Sequence, residues 1–373
     1  MKKIMLVITQ LEFGGAQKAI AVLANGLKEA GYNVDCYALY DKGGFVSEFE
    51  AKFGIKFKVI LSTYTKGGLT NKLKTIKNIK VISDIVKKER YDIVQTFTHY
   101  SNIIIPVICI SNVIKDNLRI CTSQRASVHP LGNFITVLDR FVQNSFLVKK
   151  MICVSDGVYK SCIENEHINR EKLTIIPNGI DANLNRLGID NKLKDLIRGK
   201  FVFTTIARLH AQKGHMYLID AIEKVSLTMP DSLFLLVGGG DLENKLKQIV
   251  NEKKISCIKF LGERNDIDSI LSMSDCFILP SLWEGMPNVL LEAMKYKLCI
   301  IATRVEGSSE IVIDKKTGVL VSPSNSTELA DAISFVYQNK KHAYELGEAG
   351  FQRVISHYSI EKYVQSFISL YES

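Results

Sequence analysis

Four charged residues in the second half of this 373-residue chain have types and spacings that could do chemistry together. Arg208 and Lys213 stand five positions apart in A-R-L-H-A-Q-K-G, around a turn that follows an apolar run. A guanidinium fork and a mobile ammonium so placed suit the two phosphates of one diphosphate, with a surface ion pair as the alternative for each alone. Glu284 and Glu292 stand eight apart in P-S-L-W-E-G-M-P-N-V-L-L-E-A-M, Pro280 to Met294. Glu284 falls in a loop, while Glu292 falls on a predicted helix, where it could accept hydrogen bonds from a ribose diol. The stretch Gly285, Met286, Pro287, Asn288 opens that helix and offers backbone N–H groups to an anion. Two glutamates at this spacing also occur by chance in ordinary surface loops, so the surrounding pattern has to decide.

Those residues need a sheet to hold them. Apolar runs too short for helices recur along the chain and end in polar or glycine-rich turns. Ile4–Ile8 leads to Gly14-Gly15 and a helical pattern through Ile20, Leu23 and Leu27. Strands are predicted at Val34–Tyr40, Lys58–Leu61, Asp92–Val94, Arg119–Thr122, Met151–Val154 and Leu173–Ile176. After a polar, charge-mixed stretch the rhythm restarts with Phe201–Ala207, Leu233–Val237, Ile258–Leu261, Cys276–Leu279 and Ile300–Thr303. Alternating strands and helices with polar strand ends predict α/β architecture: two doubly wound parallel sheets, Rossmann-like, facing across a cleft. The expected domains are 1–180, a linker at 181–200, 201–355, and a last helix at 356–373 that crosses back onto the first domain.

Composition narrows the class. Hydrophobic residues make up 46% and charged residues 23%, as in globular proteins. The N-terminal apolar core is too short for a signal peptide and Ile103–Ile110 too short for a membrane span, so a cytoplasmic protein is expected. Eight cysteines without a C-x-x-C pair read as buried thiols in a reducing compartment. The charge is uneven: residues 1–180 hold 25 Lys and Arg against 15 Asp and Glu, +10, which leaves 23 against 24, −1, for the rest. Lys56 to Arg90 alone holds ten of those cations, with a helical apolar pattern from Leu69 to Val86. A solvated helix face is one reading; a basic face meeting an anionic membrane surface is the other. The lysine-rich helical pattern from Leu69 to Val86 lacks interleaved aromatics, so no nucleic-acid partner is expected.

Taken in order, A-R-L-H-A-Q-K-G, V-G-G-G-D, F-L-G-E-R-N-D, the Pro280–Met294 stretch and V-E-G-S-S-E-I resemble the retaining glycosyltransferases of family 4, which have the GT-B fold. F-G-G-A-Q-K and I-P-N-G-I-D in the first half fit as well, so the likeness spans nearly the whole chain. It implies a hexosyltransferase that moves a hexose or N-acetylhexosamine from a nucleotide sugar, a UDP-sugar by preference, to a lipid-linked or other saccharide acceptor in cell-surface polysaccharide synthesis. By position it implies that Arg208 and Lys213 grip the donor diphosphate, that Glu284 meets the donor sugar and that Glu292 meets the ribose. Gly239 and the backbone around Arg264 would line the donor, the latter at the base, and Gly14 and Gly15 would let the first domain approach the phosphates. His99, in F-T-H-Y-S-N, matches a position near the sugar. Where some members carry a further histidine, S-Q-R-A-S offers Ser123 and Arg125, so His99 and Arg125 are expected at the acceptor side, with proton handling by His99 left open.

The implied mechanism is retention with front-face attack, in which the leaving phosphate takes the acceptor proton. Asp266-Ile-Asp268 is formally a D-x-D metal motif, but it stands at a predicted helix start, where a capping aspartate is the favoured reading. No metal and no cofactor are expected. A sugar-nucleotide epimerase or phosphorylase on the same plan, or a non-catalytic sugar-nucleotide-binding subunit of a glycan-assembly complex, would share these motifs.

Overall fold

The computed structural model describes residues 2–11, 14–41, 45–61, 81–125, 133–183 and 191–373. Two compact units result: Met1–Gly179 together with Ile360–Ser373, and Ile180–Ser359.

The first unit is built on seven parallel strands: β1 (Lys3–Leu11), β2 (Asn33–Asp41), β3 (Phe57–Leu61), β4 (Ile93–Phe97), β5 (Arg119–Gln124), β6 (Lys150–Cys153) and β7 (Leu173–Ile175). Their spatial order is β3-β2-β1-β4-β5-β6-β7, so β1 pairs with both β2 and β4. Helices α1 (Gly15–Glu29), α2 (Phe45–Phe53), α3 (residues 81–89), α4 (His99–Ile108), α5 (Ile110–Asp116), α6 (Asn133–Asn144) and α7 (Asp156–Glu164) connect them. Because side chains alternate along a strand, β1 feeds two cores. Ile4, Leu6 and Ile8 pack with Ile20 and Leu27 of α1. Met5 and Val7 pack with Ile82 and Val86 of α3 and Ile105 of α4. An uninterrupted apolar run is what a strand covered on both faces requires.

The second unit holds β8 (Phe201–Ile206), β9 (Ser232–Val237), β10 (Ile258–Gly262), β11 (Cys276–Leu279), β12 (Cys299–Thr303) and β13 (Val319–Val321), in the order β10-β9-β8-β11-β12-β13 and all parallel. Its helices are α8 (Asn191–Ile197), α9 (His215–Val225), α10 (Glu243–Glu252), α11 (Ile267–Ser272), α12 (Asn288–Lys295), α13 (Glu306–Ile311), α14 (Ser326–Gln338) and α15 (Lys340–His357). Phe203 and Ile278 face Leu218, Ile222 and Ile333 on one side. Phe277 and Leu279 face Leu290 and Leu291 on the other.

Several boundaries differ from the sequence reading. The stretch read as a linker carries α8, whose Leu193 is buried with Val202 and Leu233, while residues 184–190 lie outside the described ones. The last helix, α16 (Ile360–Glu372), starts four residues later than expected, since Tyr358 is buried in the second unit and its carbonyl accepts from Ile180 N over 2.8 Å. From there α16 belongs to the first unit: Tyr363, Val364, Phe367 and Tyr371 enter the α1 core, and Phe367 stacks on Phe97. Strand β13 and helices α14 and α15 had no counterpart in the sequence reading. The lysine-rich pattern from Leu69 falls outside the described residues up to residue 80. All eight cysteines are free, and all but Cys257 are buried. Among the described residues no helix is long and apolar enough to cross a membrane.

Candidate active site

In each sheet the strand order reverses at one point, between β1 and β4 and between β8 and β11. Loops leaving two such neighbouring strands diverge to opposite sides and leave room for a ligand beyond their carboxyl ends. Arg208 and Lys213 follow β8, and Glu284 and Glu292 follow β11, the two strands at the reversal point of the second sheet.

The loop after β8 carries Arg208, whose guanidinium is exposed and has no hydrogen-bond or ion-pair partner among the described residues. A short 3-10 turn, Ala211–Lys213, follows, capped by His210 Nδ1, which accepts from Gln212 N over 3.3 Å. Gly214 then adopts φ +66°, and a Cβ there would stand 1.9 Å from the Pro280 carbonyl oxygen, so no other residue fits the seam between the two loops. Leu282 N donates to Gln212 O (2.7 Å) and Gln212 Nε2 to Trp283 O (2.9 Å), which fixes the β8 loop on the β11 loop. That seam delivers Lys213 Nζ to within 2.5 Å of Glu284 Oε1. Glu284 is 8% exposed and also accepts from Ser281 Oγ over 2.6 Å. Thr303 Oγ1, from the end of β12, donates to the Ser281 carbonyl and holds the loop from behind. A buried carboxylate so supplied is oriented rather than free to turn. Of the three ammonium donors of Lys213, one goes to Glu284, which leaves two for a ligand.

Beyond Glu284, Gly285 is buried and Pro287 caps α12, which starts at Asn288. Gly307, in the first turn of α13, comes so near that a Cβ on it would lie 2.1 Å from Gly285 O, which seats the Gly285–Met286 backbone against that helix. Met286, Asn288 and Glu292 are partly exposed, Glu292 on α12 one turn past its start. Gly239, after β9, accepts from Leu209 N over 2.8 Å and so borders the Arg208 loop. Arg264, after β10, is locked by Asp266, with Nε to Oδ1 at 2.8 Å and Nη2 to Oδ2 at 2.7 Å, and this guanidinium holds the Asp266 carboxyl below its ordinary range. Asp268 accepts from the Tyr296 hydroxyl over 2.7 Å. Both aspartates of the D-x-D are thus engaged by the protein, and among the described residues no group of three metal-ligating side chains gathers.

The first unit has its own reversal point. Gly14 caps α1 with extended backbone, and Gly15 begins the helix. Across from them Thr98 takes φ +94°, unusual for a β-branched residue, and is held by Thr9, hydroxyl to hydroxyl at 2.7 Å. His99 starts α4; its Nδ1 stands 3.5 Å from Asp139 Oδ2, and its Nε2 has no partner among the described residues. Asp139 is 2% exposed, and burial raises its pKa. Arg125 donates to Asn178 Oδ1 and lies over the Phe97 ring, 5.6 Å from its centroid. Its guanidinium is therefore part of the packing at the end of β5.

Sequence reasoning missed Ser281, Thr303, Gly307 and His215. The first lies three positions before Glu284 inside the same motif, a local signal for a hydroxyl that caps the carboxylate. His215, the first residue of α9, is 2% exposed, with neither ring nitrogen bonded among the described residues; burial, then the Lys213 charge, push its pKa down to about 4.

Two family models together match almost the whole chain: Glycosyltransferase Family 4 over residues 13–184 and Glycosyl transferases group 1 over residues 190–353. The chain is also 31% identical over 282 residues, 71% of its length and 69% of the relative's, to the Escherichia coli UDP-Gal:alpha-D-GlcNAc-diphosphoundecaprenol alpha-1,3-galactosyltransferase. The chain belongs to the family 4 glycosyltransferases. A further relative, the Campylobacter jejuni N,N'-diacetylbacillosaminyl-diphospho-undecaprenol alpha-1,3-N-acetylgalactosaminyltransferase, is 24% identical over 336 residues, 84% of this chain and 85% of that one. Among solved structures, Anabaena Alr3699/HepE in complex with UDP matches with a TM-score of 0.85 over 99% of both chains at 19% identity. As a family 4 glycosyltransferase the chain has the GT-B fold, and its two Rossmann-like parallel sheets are the two domains of that fold.

Proposed function

We propose that this glycosyltransferase moves a hexose or N-acetylhexosamine from a UDP-sugar to a lipid-linked saccharide, with retention and without a metal ion. The observation that carries the reading is the Lys213–Glu284–Ser281 cluster at the β8/β11 reversal point. Breaking the anomeric C–O bond places negative charge on the departing diphosphate, so preorganised cations at that oxygen supply most of the acceleration. Lys213 and Arg208 are those cations. Glu284 holds Lys213 in place and turns its remaining oxygen to the sugar hydroxyls. Gly239, the backbone of Gly285, Met286, Pro287 and Asn288, and Glu292 line the diphosphate and ribose, and Arg264 borders the base.

UDP is favoured because the Escherichia coli relative is named for UDP-Gal and the Anabaena neighbour was solved with UDP. Both named relatives act on diphospho-undecaprenol saccharides and form alpha-1,3 linkages, which supports a lipid-linked acceptor at an anionic membrane surface. An α-product from an α-linked UDP-sugar is retention. The leaving phosphate takes the acceptor proton; His99, tied to Asp139, orients acceptor or sugar, and Arg125 shapes that side from below. Metal independence is supported by the engagement of Asp266 with Arg264 and of Asp268 with Tyr296.

Thermal-shift screening against UDP, GDP, ADP and their common sugars, followed by NMR of the anomeric configuration of the product, tests the reading. Stabilisation by UDP and its sugars and an α-product are expected. Stabilisation by GDP alone, or a β-product from an α-donor, would overturn donor or stereochemistry.

A further inference from the structure

Helices α4 and α6 lie side by side on one face of the first sheet. Gln143 Nε2 donates to Asn102 O over 3.1 Å, and Ile103 packs with Val142 and Val148. Their outward sides are apolar too. On α4, Tyr100, Ile104 and Val107 recur at helical spacing and are all exposed; on α6, Val137, Leu138 and Phe141 do the same. Phe141 keeps 74% of its surface exposed, and Phe146, in the turn after α6, keeps 67%. Ile103 and Val142 share one buried cluster, and His99 meets Asp139, so the two exposed stripes lie on neighbouring helices of the same sheet face.

Single exposed hydrophobics need no explanation, but six at helical spacing on two neighbouring helices do. A helix that only met water would carry charge there. Instead, from Tyr100 to Ile114 the sequence has no charged side chain at all. The two charges of α6 are turned away from this face: Asp139 is buried against Gln143 and His99, and Arg140 Nε donates to the Glu166 carbonyl. Cations stand at the rim. Lys172 Nζ binds the carbonyls of Ser145 (2.8 Å) and Val148 (2.6 Å) on either side of Phe146, and exposed Lys149 and half-buried Lys150 crowd it closely enough to lower its pKa further, after burial.

We infer that the outer face of α4 and α6 is the surface by which the protein sits on an anionic membrane, with Phe141 and Phe146 entering the headgroup–acyl boundary and Lys149, Lys150 and Lys172 meeting lipid phosphates. Apolar area flanked by lysines is the chemistry of an interfacial anchor. This differs from attraction by the lysine-rich run before Arg90: it requires insertion of side chains and survives partial charge screening. It rests on the lipid-acceptor reading only for its purpose, not for its occurrence.

Vesicle flotation of the full chain tests it. Binding is expected to vesicles of 30% phosphatidylglycerol in phosphatidylcholine and to be about tenfold or more weaker with phosphatidylcholine alone. The pair Phe141→Ser and Phe146→Ser is expected to lower partition on the order of 100-fold, roughly tenfold per ring. Leu227→Ser with Phe335→Ser, exposed apolar residues of the second unit, is expected to leave it unchanged. UDP-induced thermal shift and turnover of a water-soluble acceptor analogue should be those of the wild type in both pairs, which separates failure of the anchor from failure of the functional reading. Wild-type partition by the phenylalanine pair, no flotation of the parent chain, or a dimer in solution that this pair dissolves without any vesicle binding would each overturn the inference.

Discussion

The ammonium of Lys213 stands 2.5 Å from the carboxylate of Glu284, 71 positions further along the chain. The pair is nearly buried, so each charge depends on the other: removing one leaves the second desolvated without a partner. Lys213→Ala is predicted to lower kcat by on the order of 10²–10³, with Glu284→Gln of similar size. The double variant should lose little more than either single, because the two act as a unit. Steady-state kinetics over the four-member cycle decides; strictly additive losses would mean that the contact does not act on the reaction.

Ser281 is fully buried and spends its hydroxyl on Glu284 at 2.6 Å. It touches no reacting atom in the proposed mechanism and acts by aiming the carboxylate. A hydrogen bond to a charged group contributes about 1.5–3 kcal/mol, so Ser281→Ala is predicted to reduce kcat roughly 10- to 100-fold with little change in the KM for donor. Ser281→Thr should recover part of the loss if the added methyl fits. A fall in thermal stability with kcat intact would reduce Ser281 to a purely structural residue.

Gly214 joins the two loops that carry Lys213 and Glu284, at φ +66° with its missing Cβ 1.9 Å from the Pro280 carbonyl. Gly214→Ala therefore forces the loops apart rather than filling a gap. The predicted outcome is loss of UDP-induced thermal stabilisation together with a lowered melting temperature. Gly199→Ala is the control: it too has positive φ (+72°), but nothing stands within 4 Å of its Cβ, so only the backbone term, about 1 kcal/mol, is expected.

These residues also show where the sequence was legible. Five of the six strands of the second unit and the positions of Arg208, Lys213, Glu284 and Glu292 after its strand ends follow from apolar runs bounded by turns, because a doubly covered parallel sheet admits few other patterns. The Lys213–Glu284 contact, by contrast, depends on β8 and β11 being neighbours, a pairing across 73 residues that periodicity does not report. His99 was marked for its motif, but its partner Asp139 lies on α6, forty positions on, and only the side-by-side packing of α4 and α6 joins them. Strand β13 escaped notice for a simpler reason: three residues, Val319–Val321, are too few to show a period.

Asp268 lies in the D-x-D sequence, and its carboxylate accepts from the Tyr296 hydroxyl, which joins α11 to α12, the helix that bears Glu292. If the motif is structural, initial rates are predicted to be equal in 5–10 mM EDTA and in millimolar manganese or magnesium, both figures being ordinary assay concentrations on the order of a thousandfold above a tight site's dissociation constant. Asp268→Asn should keep the Tyr296 bond and most of the activity. Loss of turnover in chelator, restored by manganese, would return the aspartates to metal binding.

Two buried groups tie stability to pH in opposite senses. Glu166, 3% exposed, has its pKa pushed up to about 7 by burial and then by the Asp139 charge, so the folded first unit holds this proton more tightly than the unfolded chain does. Its contribution is complete below the unfolded value near 4.5 and is lost as pH rises through 7. His215, in the second unit, is pushed down to about 4, so its contribution is complete above 6.5 and is lost as pH falls through 4. Each window spans about 3 kcal/mol. Urea unfolding of Glu166→Gln against wild type is predicted to show a relative gain for the variant that grows from pH 4.5 to 7. His215→Phe, which removes two unbonded ring nitrogens, should show a relative gain that grows from pH 6.5 down to 4. Difference curves cancel every other titrating group, so parallel curves for either variant would remove that residue from the linkage.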